Sequence, residues 1–179
     1  IRHGQTVWNA ESRLAGSTDV ELTALGRQQA RSLRPDLSGF EFDSVWSSDL
    51  KRAIDTAQLA YGGPIIDSRI RELDFGQLEG EVWKDLSPAL RRRLVDFNGF
   101  AAPGGESLVD LGVRLTKFAD ELSPGHHLVF THGGVIGWFL HMVGAHQFVQ
   151  NCTVVTMQWA PEPGLVEISV PSVESMTLL

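Results

Sequence analysis

Cysteine occurs once in the 179-residue chain, at Cys152. A lone thiol cannot form an intramolecular disulfide, which sets aside the disulfide-stapled secreted scaffolds and fits a reducing cytosol. An excess of positive charge is also missing: 15 Lys and Arg stand against 22 Asp and Glu, a formal net charge of -7. A surface for nucleic acid or for an anionic membrane is therefore not expected, while a small basic pocket for an anion is compatible with that balance. Long apolar runs are lacking. The longest, around Val135 to Val143, is interrupted by Gly137 and His141 and falls short of the roughly 20 residues that span a bilayer. No basic leader or apolar stretch precedes the first motif, so a secretory signal is not expected and a cytoplasmic location is. No internal repeat, low-complexity tract or linker divides the chain. Its length suits one domain over residues 1–179, large enough to bury a core of its own.

What the chain does hold is a crowd of phosphate-handling groups. Arg2-His3-Gly4 stands at its start, followed by Gln5, Thr6, Trp8 and Asn9. Three later stretches offer partners: Ser48-Asp49-Leu50-Lys51-Arg52-Ala53, Arg71-Glu72-Leu73 and Thr131-His132-Gly133-Gly134. Any one of them is a weak signal. Together they supply two histidines, two arginines and a carboxyl group, a sufficient set for moving a phosphoryl group without a metal.

The pattern along the chain predicts an α/β fold. Trp8 to Asp19 reads as a long irregular loop. Thr23 is a good N-cap for a helix through Leu33, which Pro35 and Gly39 end. Phe42 to Ser47 is a short strand, and Asp49 starts a helix through Ala60. Ile65-Ile66 is a second short strand, and Asp74 to Gly80 is a loop. Val82 to Leu86 and Pro88 to Phe97 are helical, the proline being acceptable in a first turn. Ala101 to Gly105 is a loop, and Ser107 to Leu122 is an amphipathic helix. His127 to Thr131 is a buried strand, with a helix from Gly134 to Val143. Thr153 to Trp159 and Leu165 to Val170 form a hairpin about Pro161-Glu162-Pro163-Gly164. Strands alternating with helices predict a sheet covered on both faces, with ligands beyond the carboxyl ends of the strands. Arg2-His3 and His132 fall at such ends, and Arg52 falls just inside the next helix. If Arg2-His3 ends a strand, the body of that strand is expected upstream of the numbering.

The chemistry follows from the residue types. A phosphate monoester is a dianion, and a neutral imidazole attacks it only where the pocket offsets that charge. Guanidinium groups at Arg2 and Arg52 are permanently charged and meet phosphate oxygens in pairs. His132 adds a third donor, and Asn9 and Thr6 add neutral ones. The same positive field is expected to lower the pKa of His3 and keep it nucleophilic. A carboxyl group such as Glu72 can give the leaving alkoxide its proton and then take one from the attacking water.

With these motifs the chain resembles the histidine phosphatase superfamily, in the phosphoglycerate mutase-like branch that also holds small broad-specificity phosphatases. Arg2-His3-Gly4-Gln5-Thr6 with Trp8-Asn9 matches the opening motif. Arg13, Gly16, Asp19, Leu22-Thr23, Leu25-Gly26 and Gln29-Ala30 match the segment behind it. Ser47 to Ala53 with Thr56, Arg71-Glu72 with Gly76 and Glu79-Gly80, Gly105-Glu106-Ser107, and Thr131-His132-Gly133-Gly134 match the remaining motifs in order. The resemblance covers nearly the whole chain. It implies a three-layer α/β/α sandwich with a mostly parallel central sheet, no metal and no cofactor. It implies that His3 is the phosphorylated nucleophile, that Arg2, Arg52 and His132 bind the phosphoryl group, and that Glu72 is the proton donor. Thr6, Asn9, Gly16, Ser17 and Gly133 are expected to join them around the substrate. Ala15 stands where the family often has glutamine, so that loop is expected to contact substrate differently.

The expected activity is that of a phosphoric monoester hydrolase acting on small phosphorylated metabolites, as a monomer or homodimer. The first alternative is a phosphoglycerate mutase that needs a bisphosphorylated primer. The second is an inactive member that only binds phosphorylated ligands or a partner. The Gly80 to Gly104 segment is shorter than the mutases carry, and Gly134 stands where mutases tend to have Asn. Other candidates have plainer readings. Arg91-Arg92-Arg93 is a solvated helix face, with a second substrate anion as its sharper alternative. His126 and His127 begin a strand, and His141 and His146 lack ligand-like partners. Most tryptophans are core, but Trp83 is placed to line a substrate pocket. Cys152 reads as a small buried apolar residue.

Overall fold

The computed structural model describes residues 1–97, 99–159 and 162–169. Helix begins earlier than the irregular loop expected from Trp8. Asn9 N donates to Thr6 Oγ1 and Thr6 N to Asn9 Oδ1, both at 3.1 Å. This reciprocal cap sets the short helix α1 (Val7–Ala10). The helix α2 (Ala24–Ser32) starts where expected, with Gly26 N donating to the Thr23 hydroxyl at 2.9 Å. Pro35 does not stop the chain from coiling. It enters the first turn of α3 (Arg34–Leu37), where a missing amide hydrogen costs nothing.

The strand β1 (Ser44–Ser47) begins later than Phe42, and α4 (Lys51–Ala60) later than Asp49, whose carboxylate is taken by Arg71. After β2 (Ile65–Ile66), the Val82 to Leu86 stretch is helical as expected but makes only a single tight 3-10 turn, Trp83–Asp85. Ser87 caps α5 (Pro88–Asp96), and a Ser107–Asp110 capping box opens α6 (Leu108–Asp120). The strand β3 (His127–Phe130) leads into α7 (Gly133–Met142). The expected hairpin is the antiparallel pair β4 (Val154–Gln158) and β5 (Gly164–Ser169), with an irregular register between Thr156 and Met157. Gly164 opens β5 rather than closing the turn. Pro161 and Val170 lie outside the described residues.

β1, β2 and β3 form a parallel sheet in the order β2-β1-β3. Ile1 to His3 runs alongside β3: His3 N donates to Thr131 O at 2.9 Å, and Thr131 N to Ile1 O at 2.8 Å. Arg2 and Thr131 are bridged in parallel. On its other side, Arg2 N donates to Thr153 O at 3.2 Å, just before β4. Side-chain alternation along the strands splits the core in two. Val45, Leu128, Phe130 and Ile1 pack against Ala30, Leu33, Leu37 and Ala57 of the α2–α4 layer. Trp46 and Val129 point the other way, into Leu111, Leu115 and Phe118 of α6 and Val135 and Trp138 of α7. A fully buried side chain such as Phe130 contributes about 1.5–3 kcal/mol. The architecture is therefore the three-layer α/β/α sandwich. Because the strands are parallel, the residues after Ser47 and Phe130, together with His3, emerge at one edge of the sheet.

Candidate active site

At that edge lies a cavity of about 560 Å³ lined by Arg2, His3, Asn9, Gly16, Glu72, Gly133 and Gly134 among others. His3 is 3% exposed. Its Nδ1 lies 2.7 Å from Gly4 O. A carbonyl only accepts, so Nδ1 carries the proton and the Nε2 lone pair is left free to attack. The backbone beneath is fixed by Thr56, whose hydroxyl accepts from Gly4 N at 3.0 Å and donates to Arg52 O at 2.7 Å. A Cβ on Gly4 would stand 2.4 Å from Gly26 O, so only glycine lets α2 pack this closely behind the histidine. The His3 pKa is held well below 6.5. Burial is the largest cause, and the charges of Arg52 and Arg2 add to it in the expected direction.

His132 caps the start of α7, with its ring centroid 5.2 Å from that of His3. It is fully buried, and burial followed by the Arg52 charge holds its pKa well below 6.5 too. Arg52 has no ion pair among the described residues. Asp49 is bonded to Arg71, and Asp55 lies 2.7 Å from Lys51. Arg52 instead donates to Thr18 O at 2.8 Å and Gly16 O at 2.6 Å. Glu79 fixes those loop residues by accepting from Ser17 N and Thr18 N at 2.7 and 2.9 Å. Arg2 donates to Val149 O and lies against Gly133. Among the described residues, Arg2 Nε, Arg52 Nε and both ring nitrogens of His132 are buried without a hydrogen-bond partner. An unsatisfied buried donor costs about 1–3 kcal/mol. Several in one place mark a position built for an acceptor-rich group, and phosphoryl oxygens fit it.

Glu72 faces the cavity at 9% exposure. Leu73 N donates to Oε1 at 2.9 Å, and Gly134 N donates to Oε1 and Oε2 at 3.0 and 3.1 Å. A Cβ on Gly134 would stand 2.4 Å from Oε1, so the glycine is what lets α7 approach the carboxylate. The backbone carrying Glu72 is clamped from α6. Arg114 donates to the carbonyls of Arg69, Arg71 and Glu72 at 2.5, 2.7 and 3.1 Å, while Glu106 holds its guanidinium.

The structure brings Arg2, His3, Arg52, Glu72 and His132 together, although Arg52 and His132 lie behind the cavity wall rather than on it. Asn9 is on the wall. Its Oδ1 accepts from Thr6 N and from Asn151 Nδ2 at 3.1 and 3.2 Å, which leaves its amide hydrogens as donors. Gly16 and Gly133 also line the cavity. The hydroxyls of Thr6 and Ser17 do not: Thr6 caps α1, and Ser17 bonds Glu79 at 2.9 Å. Trp83 is on the wall, while Arg91, Arg92 and Arg93 are not; α5 contributes Leu94 and Val95 instead. His146, read as bland, lines it as well. Cys152 is buried as expected, and burial pushes its thiol up to about 12.

Sequence reasoning missed Arg114, Asn151 and Phe148. Asn151 Nδ2 donates to His3 O at 2.9 Å, and the Arg2 guanidinium stands 5.4 Å from the Phe148 ring centre. Only Arg114 left a trace, eight positions after the Glu106 that holds it. Among the described residues no group of His, Cys, Asp and Glu could hold a metal ion, and no helix is long and apolar enough to cross a membrane.

The chain is similar to members of one family along most of its length. A family model described as the histidine phosphatase superfamily (branch 1) matches residues 1–167. The phosphoglycerate mutase-like protein 4 of Arabidopsis thaliana is 39% identical over 155 residues, covering 76% of this chain; the chain spans 66% of that relative's length. A probable phosphoglycerate mutase GpmB of Enterobacter sp. (strain 638) is 35% identical over 186 residues, covering 92% of this chain and 86% of the relative. Among solved structures, TTHB049 from Thermus thermophilus superimposes with a TM-score of 0.85 at 40% identity, covering 93% of this chain and 95% of that one.

Proposed function

The chain belongs to branch 1 of the histidine phosphatase superfamily, and on that premise we propose that it hydrolyses small phosphate monoesters through a phosphohistidine on His3. In the first step, His3 Nε2 attacks phosphorus and the ester P–O bond breaks. The Glu72 carboxyl proton goes to the leaving oxygen, which departs as an alcohol. In the second step, water gives its proton to the Glu72 carboxylate as its oxygen attacks phosphorus. The P–N bond breaks, and phosphate leaves behind a neutral His3. Arg2, Arg52 and His132 hold the phosphoryl oxygens throughout, so the added charge is met by fixed donors rather than by a metal.

The observation that carries this reading is the free Nε2 of His3 beside the unpartnered buried donors of Arg2, Arg52 and His132. For hydrolysis over phosphoryl return, the support is the cover. A mutase must shield its phosphohistidine from water while the substrate turns. Among the described residues between Gly80 and Gly104, this chain has only the turn at Trp83–Asp85 and the 9-residue α5 as helical cover. The mutase names of the relatives make the rival reading concrete. The test runs a phosphate-release assay on several monoesters beside an enolase-coupled mutase assay with bisphosphorylated primer, both with a chelator present. Phosphate release should dominate and should survive the chelator. Primer-dependent mutase turnover far above phosphate release would overturn the choice, and an absence of both would leave a binding protein.

A further inference from the structure

Arg2, His3, Glu72, Gly133 and Gly134 supply the phosphate-handling part of the 560 Å³ cavity wall. Leu14, Phe75, Trp83, Leu94, Phe97 and Phe100 give the wall most of its large apolar side chains, with Ser12, Gln147 and Asn151 among its polar ones. The apolar side chains are hydrocarbon and aromatic, and most are brought in by the short cover. Phe148 borders the same space and is 81% exposed.

Positive charge for a second anion is scarce there. Among the described residues the basic side chains on the wall are Arg2, His3, Arg13 and His146, and His3 is the nucleophile of the proposed reaction. Arg2 serves the phosphoryl end. Arg13 is matched by Glu11, which accepts from its Nε at 2.7 Å, and its Nη1 donates to Gly80 O at 2.8 Å. His146 packs on Phe97, ring centres 4.6 Å apart. Burial and then His141 lower its pKa from the usual imidazole value, against the pull of Asp96. The phosphate-free end of a ligand thus meets an apolar wall. A carboxylate moved onto such a wall loses its water without gaining an unengaged cation. A ring moved there gains by burial and by aromatic contact.

We propose that this end takes an apolar, ring-bearing alcohol or phenol, so that the substrates are phosphate monoesters whose only charged group is the phosphate. The word substrate rests on the phosphatase reading; the binding preference does not. The test therefore measures binding of phosphonates, whose C–P bond this chemistry leaves intact. Calorimetry on the whole chain compares propylphosphonate, phenylpropylphosphonate and carboxyethylphosphonate. The phenyl compound should bind on the order of ten- to a hundredfold tighter than propylphosphonate. The carboxyethyl compound should bind more weakly than propylphosphonate. Trp83→Ala and Leu94→Ala, each checked by thermal melting, should both shrink the phenyl-to-propyl ratio. A phenyl compound no tighter than propyl, a carboxyethyl compound tighter than propyl, or a ratio unmoved in both folded variants overturns the proposal. Phosphate release from phenylpropyl phosphate is scored separately. A ring preference without release would fail the phosphatase reading alone, and release without a ring preference would fail this inference alone.

Discussion

At the phosphoryl end of the cavity, Arg2, His3 and His132 sit where the parallel strands stop, and backbone hydrogen bonds fix the chain on which they stand. At the apolar end, Trp83, Leu94, Phe97 and Phe100 come from one connecting stretch of a tight turn, a short helix and loop. The first end has to hold attacking, donating and charge-bearing atoms in fixed relation, and strand ends supply that fixity. The second has to present area, and irregular backbone suffices for that. A change at the first end should therefore stop chemistry, while a change at the second should alter which ligand is preferred.

His3→Ala is the strongest test of that division. It should abolish turnover and remove the acid-labile, alkali-stable phosphoenzyme trapped by rapid quench, while the thermal midpoint stays within reach of the parent. Near-normal turnover in His3→Ala would erase the contrast between the ends and the phosphohistidine with it.

Glu72→Gln should act one level down. General acid–base catalysis is worth about 10²–10⁴-fold, so an alkyl phosphate should lose roughly that much rate. A p-nitrophenyl ester, whose leaving group needs little protonation, should lose less in its first step. Burst kinetics on the two esters make the comparison. Equal first-step losses would show that Glu72 acts by holding Gly134 and the start of α7 rather than by moving a proton.

The same contrast explains what could be read in the sequence. Short motifs at strand ends are contiguous, so Arg2-His3-Gly4 and Thr131-His132-Gly133-Gly134 announced themselves, and strand-helix alternation gave the layered architecture. Arg114 and Asn151 act across the chain on carbonyls of Glu72 and His3. Side-chain bonds to a distant backbone leave neither periodicity nor spacing to detect. Thr6 was legible as polar, but not as the cap that makes α1 out of an expected loop. Of the apolar wall only Trp83 was foreseen, since any hydrophobic residue in a connecting stretch reads as core until the cavity is seen.

The smallest effect belongs to stability against pH. His3 and His132 are both buried with pKa values held well below 6.5, first by burial and then by Arg52. In the unfolded chain each takes up a proton near pH 6.5, and in the folded chain neither does until much lower. The unfolded state then binds more protons, so the contribution of these two histidines is full above about pH 6.5 and falls as pH drops toward the folded-state values. Each histidine contributes a slope of up to about 1.4 kcal/mol per pH unit in that window. His146 adds a smaller part of the same sign, its pKa being lowered by burial and by His141. Asp49, Asp67, Glu79 and Asp110 also have lowered pKa values. Their contribution is lost only around and below about pH 4, so they do not add to the slope that the histidines give between roughly pH 6.5 and 5. Urea unfolding across that interval should show the slope, and His132→Gln should remove about one proton's share of it. Trp83→Ala, at the other end of the cavity, should leave the slope unchanged. A slope equally steep in His132→Gln and in the parent would mean that His132 is protonated in the folded protein, and the phosphoryl end would then carry one more positive charge than its burial implies.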